Sequence, residues 1–214
     1  MIVYGSSLSP FVRKVLAFAA EKGLEVELKP TGLGNKDPEF IEASPFGKMP
    51  GFRDGDFAIS DSSAIVAYLD AIKDEPRLIP EEPRARARTI WFDEYADTIL
   101  FGCGQKMFFN RVVAPRFLGR PGDEEVAAKA ECEELPPLLD YLEGVIPESG
   151  FLVEDRLTLA DISVASPFVN LKHLDVALDR NRYTRLTRYI ETILDRPSFK
   201  CWVDREAAFL ERAA

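Results

Sequence analysis

Two short stretches of this 214-residue chain combine residue types that can do chemistry with a spacing that would present them. In the first, Ser6, Ser7 and Ser9 stand just ahead of Pro10 and a basic amphipathic run, Phe11–Val15. Ser9 followed by Pro10 reads as a helix start, with serine as N-cap and proline at the first helical position. A hydroxyl placed there can accept a helix N–H through a lone pair and still donate its own proton elsewhere. In the second, Asp61-Ser62 precede another helical stripe. Free N–H groups at a helix start hold a carboxylate as readily as a capping side chain does. Other chemistries are poorly supplied. His173 is the single histidine, which argues against a histidine-rich metal centre or a Ser-His-Asp triad. Cys103, Cys132 and Cys201 form no C-x-x-C, so no zinc site or dithiol motif is written here.

The elements that must position these residues divide the chain. Ile2-Val3-Tyr4 reads as a strand, and Val12, Val15, Leu16 and Ala19 fall on one helical face closed by Gly23. Val26-Glu27-Leu28 alternates like a second strand, giving a βαβ unit and a parallel pair. Asp37-Pro38 opens a short helical turn, Asp54-Gly55 marks a hairpin, and Ile65, Tyr68, Leu69 and Ile72 stripe a helix. Residues 1–75 are thus expected to form an α/β domain, and the proline-rich, charged run to residue 83 a linker. Residues 84–214 are expected to be all helical: about 84–113, 123–143 bent by Pro136-Pro137, a helix from Leu159, then 182–194 and 198–211.

A net charge of -9 argues against nucleic acid or an anionic membrane as partner. No signal-peptide pattern or membrane-length apolar run is present, so a cytoplasmic location with reduced thiols is expected.

Four stretches in order, SPFVRKV (9–15), SPFGKMP (44–50), DSSAIVAYL (61–69) and LTLADI (157–162), resemble the glutathione transferase family, in its serine-dependent theta-, phi- and tau-like forms. The resemblance covers nearly the whole chain. It implies a thioredoxin-like domain, with a cis-proline at Pro50, followed by an all-α domain. It also implies a homodimer, glutathione as co-substrate, no metal, and a small apolar electrophile as second substrate.

Carried over residue by residue, the resemblance makes Ser9 the thiol-activating hydroxyl, with Ser7 in reserve and Arg13 nearby. The backbone of Met49 before Pro50 would pair with the cysteinyl unit, as an added strand pairs with a sheet edge. Ser62 would take the γ-glutamyl carboxylate, Asp61 its ammonium, and Asn35, Lys36 and Lys48 the glycine carboxylate. The acceptor site would draw on Leu8, Phe11, Phe101, Met107, Phe108 and Arg111. Gly102 and Gly104 inside that helix suggest a bend or close approach beside the cleft. LTLADI itself reads as structural, a capping box with Thr158 as N-cap and Asp161 at the third position. Every glutathione-side residue would serve equally in a glutathione-dependent lyase, isomerase or dehalogenase. A non-catalytic transferase-like binding module is the remaining alternative.

Overall fold

The computed structural model describes residues 1–212. Its first part runs β1 (Ile2–Gly5), α1 (Pro10–Glu21), β2 (Glu27–Pro30), α2 (Pro38–Ala43), β3 (Gly51–Asp54), β4 (Phe57–Ser60) and α3 (Ser62–Ile72). The sheet order is β2-β1-β3-β4. β1 pairs with β2 in parallel, because a helix must carry the chain back between them, and with β3 antiparallel. The apolar face of α1 explains why it lies on the sheet: Val12, Val15, Leu16 and Ala19 are all buried. Gly23, at φ +62°, lets the chain reverse after that helix. The β3–β4 hairpin is closed one residue later than expected. Asp54 pairs with Phe57, so the two-residue loop is Gly55-Asp56, with Gly55 taking the positive φ.

From Pro83 the described chain is helical: α4 (Pro83–Glu94), α5 (Phe101–Phe108), α6 (Glu124–Lys129), α7 (Leu135–Val145), α8 (Leu159–His173), α9 (Thr184–Leu194) and α10 (Pro197–Arg212). The single helix expected over 84–113 is instead a path broken by π-helical turns at Tyr95–Leu100 and Phe109–Phe117. A third π segment, Ala130–Glu134, leads into α7. Pro136-Pro137 then sit in the first turn of that helix, where no intrahelical N–H is needed.

α8 is the axis of the molecule, with every residue from Leu159 to Leu171 buried. Asp161 closes its start: Oδ2 accepts from the Thr158 N–H at 2.8 Å and from the Thr158 hydroxyl at 3.1 Å, and Oδ1 accepts from the Leu152 N–H at 2.8 Å. Burial outweighs these bonds and pushes the Asp161 carboxyl up to about 6. α8 also meets the linker, the Leu159 N–H donating to the Leu78 carbonyl at 2.9 Å, and the α/β part directly, the Ser166 hydroxyl donating to the Pro10 carbonyl at 2.7 Å.

Candidate active site

The serine loop leads into α1, and its geometry separates two roles that sequence left joined. Ser9 has the extended backbone of an N-cap (φ -77°, ψ 124°), and its carbonyl accepts from the Arg13 N–H at 3.0 Å. Its side chain makes no capping bond. Ser9 is half-buried and its hydroxyl has no hydrogen-bond partner among the described residues, and the same holds for Ser7. Both are therefore available to a ligand at the positive end of a helix.

Arg13 is elsewhere. It is fully buried and points away from the loop into the helical part, where Nε and Nη2 donate to the two Glu206 oxygens at 3.1 and 2.7 Å. Nη1 donates to the Ser166 carbonyl at 2.6 Å and to Asn170 Oδ1 at 3.1 Å. Its charge is matched by a carboxylate on α10, so it is not a free cation for a thiolate.

Met49–Pro50 is cis. The loop that carries it is packed against the end of β1. A Cβ at Gly5 would lie 2.6 Å from Val12 Cγ2 and 3.2 Å from Met49 Cβ. Only glycine lets strand, helix and cis-proline loop meet so closely. Lys36 and Lys48 are exposed and have no ion-pair partner among the described residues. Asn35 spends its Oδ1 on the Asp37 N–H at 2.7 Å, leaving the amide NH2 free. Among the described residues no side-chain bond links these three to the other candidates.

Asp61 adopts φ 82°, in the region that favours glycine, and caps α3 from there. Its Oδ1 accepts from the Ser63 and Ala64 N–H groups, each at 3.0 Å. Two of the helix-start donors expected for a ligand are thus occupied, and the Ser62 N–H remains. Ser62 is buried, and its hydroxyl donates to Asp97 Oδ2 at 3.3 Å.

Beneath Ser62 lies a charged cluster not expected from the sequence. Lys14 Nζ, 1% exposed, donates to Asp93 Oδ1 at 2.8 Å, Asp97 Oδ2 at 2.5 Å and Ser63 Oγ at 3.2 Å. Ser63 and Ser163 donate to Asp93 at 2.7 and 2.6 Å. Burial raises the Asp97 carboxyl above its usual range, against the pull of Lys14. One cation faces two carboxylates, so the cluster has room for a second positive charge. The available signal was Asp93 and Asp97 at i, i+4 in a stretch with Phe92 and Tyr95, where solvent-facing charges would be out of place.

The acceptor residues divide. Phe11 and Phe101 meet edge to face across the two parts, with centroids 4.5 Å apart. Leu8 packs on the cluster of Phe108, Val112 and Leu210. Met107 is fully buried in the main core and lines nothing. Arg111 is locked by Glu124 and Glu131, with contacts of 2.6 and 2.5 Å, and offers no free charge. Added Cβ atoms at Gly102 and Gly104 would meet nothing within 4 Å, so no close approach explains these glycines. Cys103 is buried and its thiol is pushed up to about 11, a packed residue rather than a nucleophile.

A mixed four-stranded sheet with a cis-proline ahead of β3, joined to an α-helical domain, defines a thioredoxin-like fold with a helical extension. Residues 3–77 match the glutathione S-transferase N-terminal domain and residues 108–206 the glutathione S-transferase C-terminal domain. A glutathione S-transferase of Hyoscyamus muticus is 30% identical over 205 residues, covering 93% of this chain and 95% of that one. The crystal structure of glutathione transferase F7 from Populus trichocarpa superposes with a TM-score of 0.83 at 26% identity, over 95% of this chain and 97% of that one. Glutathione S-transferase I from maize, solved with an atrazine glutathione conjugate, superposes with a TM-score of 0.84 at 24% identity, over 100% of this chain and 99% of that one. The chain belongs to the glutathione S-transferase family and is an enzyme of that type.

Proposed function

We propose that this transferase conjugates the glutathione thiolate to a small, mostly apolar electrophile, with Ser9 as the thiol-activating group and Ser7 in reserve. The observation that carries the reading is the Ser9 hydroxyl, unpaired at the start of α1 although its backbone is that of a cap. A thiol with an ordinary pKa of about 8.5 is only a few per cent ionised at neutral pH, so a donor to sulfur is what the reaction lacks. Arg13 is reassigned from the sulfur to the frame of the site.

In this reading Met49 pairs with the cysteinyl unit, and the free groups of Asn35, Lys36 and Lys48 receive the glycine carboxylate. The Ser62 N–H takes the γ-glutamyl carboxylate. The ammonium goes to the unspent oxygen of Asp61, above the excess negative charge of the Lys14–Asp93–Asp97 cluster. The electrophile lies against Phe11, Phe101, Leu8 and Phe108, a wall without an unpaired charge. The maize protein of the same fold was solved with an atrazine glutathione conjugate, which is consistent with glutathione as co-substrate in this reading. Among the described residues no helix is long and apolar enough to cross a membrane.

We read the working form as a homodimer joined through α3 and α4. Its support is apolar surface on those helices: Ile72 at the end of α3 and Ile90 and Trp91 on α4 are exposed. Arg84, Arg86 and Arg88 on α4 have no ion-pair partner among the described residues, leaving them for acidic groups of a second copy. Light scattering should give twice the chain mass, and a concentration-independent monomer would refute this assembly.

Calorimetric titration tests the recognition scheme. Wild type should bind glutathione, and Asp61→Ala should bind it at least about tenfold more weakly, through loss of one charged contact and of a helix cap. Equal affinities would remove Asp61 from the site.

A further inference from the structure

We propose that Asn170 and Ser166, on α8, are positioning residues for thiol activation, holding the serine loop by the two carbonyls that flank Ser9. This rests on the reading of Ser9 given above. Asn170 Nδ2 donates to the Leu8 carbonyl at 2.9 Å, and Ser166 Oγ donates to the Pro10 carbonyl at 2.7 Å. Leu8 and Pro10 are the neighbours of Ser9 on either side, so the Leu8–Ser9 peptide and the Pro10–Phe11 peptide, one before Ser9 and one just beyond it, are fixed from outside the α/β domain. Ser166 and Asn170 lie four residues apart and share one face of α8. The two side chains therefore reach the chain on both sides of the corner at Ser9, Leu8 in the turn before it and Pro10 at the first position of α1.

The clamp is itself held. Arg13 donates to Asn170 Oδ1 at 3.1 Å, which fixes the amide so that Nδ2 faces Leu8, and to the Ser166 carbonyl at 2.6 Å. Glu206 in turn holds the guanidinium with both oxygens. Ser166 and Asn170 are 1% and 6% exposed, so water does not compete for these bonds. The Ser9 side chain has no partner of its own to set its direction. The backbone therefore sets the position and direction of its Cα–Cβ bond, from which the hydroxyl reaches sulfur by one χ1 rotation, and α8 holds that backbone. Half an ångström of drift there would weaken a hydrogen bond to sulfur while leaving the γ-glutamyl and glycine contacts in place, because those belong to other segments.

Two variants remove the clamp without emptying the core. Asn170→Asp keeps the acceptor for Arg13 and loses the donor to Leu8, and Ser166→Ala loses the donor to Pro10. Hydrogen exchange over Ser6–Phe11 should quicken in both. The thiol pKa of bound glutathione, followed by thiolate absorbance, should rise by roughly half a unit to one unit, with glutathione affinity within about threefold of wild type. Ser166→Thr retains the hydroxyl and should restore much of the depressed thiol pKa; if that variant does not fold, Asn170→Asp decides alone. A depressed thiol pKa in wild type that is unmoved in both folded variants would overturn the clamp and leave the transferase reading intact. An ordinary thiol pKa already in wild type would overturn the Ser9 reading, and the clamp with it.

Discussion

Ser9→Ala separates a cap from a catalyst, because the structure assigns the two functions different costs. A serine that caps a helix loses about 1 kcal/mol of stability on replacement by alanine. The Ser9 side chain makes no such bond, so the melting midpoint of Ser9→Ala should stay within the scatter of a neutral surface change. The chemical cost is separate. A hydrogen bond to a charged acceptor contributes roughly 1.5–3 kcal/mol, and the positive end of α1 about 0.3–1 kcal/mol more. With Arg13 spent on Glu206, these are the contributions within reach of the sulfur. Their sum, about 2–4 kcal/mol, covers the roughly 2.7 kcal/mol needed to lower a thiol pKa by about two units. Removing the hydroxyl leaves only the helix end, so the bound thiol should titrate roughly one to two units higher. Turnover near neutrality should fall about ten- to a hundredfold and recover as pH rises past the new pKa. Glutathione affinity should change much less, since the lost bond serves the anion. Thiolate absorbance and a thermal melt on the same variant decide the matter. An unmoved thiol pKa with a lowered melting midpoint would show that Ser9 is a cap and nothing more. A large shift in Ser7→Ala instead would move the role to Ser7.

Glu206→Gln should cost about 3 kcal/mol or more at neutral pH, because Arg13 would be left buried without its carboxylate. In wild type, burial raises the Glu206 carboxyl, but Arg13 and His173 more than offset this and hold it below its ordinary 4.5. Its stabilisation is therefore present above that value and is lost as pH falls through the lowered one. Denaturant titrations from neutral to acid pH should show this acid limb in wild type and a shallower one in Glu206→Gln. Gly104→Ala should be neutral or stabilising by up to about 1 kcal/mol, since helix propensity improves and an added methyl meets nothing. A loss of more than that in its melting curve would mean that the backbone there needs glycine.

What could be read in the sequence followed locality. The stripe on α1, the stop at Gly23, the start of α8 at Thr158 and the hairpin near Asp54 are set by residues within a turn or two, and all appear where spacing put them, within about a residue. The π turns do not follow from a 3.6-residue period, because each absorbs one extra residue without altering composition. They appear as a single uninterrupted helix when only periodicity is used. Arg13 shows the other limit. Its neighbourhood in sequence is the serine loop, but its partners Ser166, Asn170 and Glu206 are more than 150 positions away, and nothing local announces them. Lys14 beside it carried a usable signal. Two adjacent cations between Val12 and Val15 on a core-facing helix cannot both reach water, so at least one needed a buried partner.

The join between the two parts has a consequence for how such proteins can be recombined. Arg13 and Lys14 leave the α/β part with 0% and 1% of their surface exposed, and each is neutralised by carboxylates from the helical part: Glu206 for one, Asp93 and Asp97 for the other. The short segment ahead of α4 looks like a natural cut point, but a cut there would strand both cations and four of their acidic and amide partners. A chimera that exchanges one half for that of a relative must therefore import matching charges at these positions. The two halves are separable on paper as folds, yet they are inherited as one electrostatic unit.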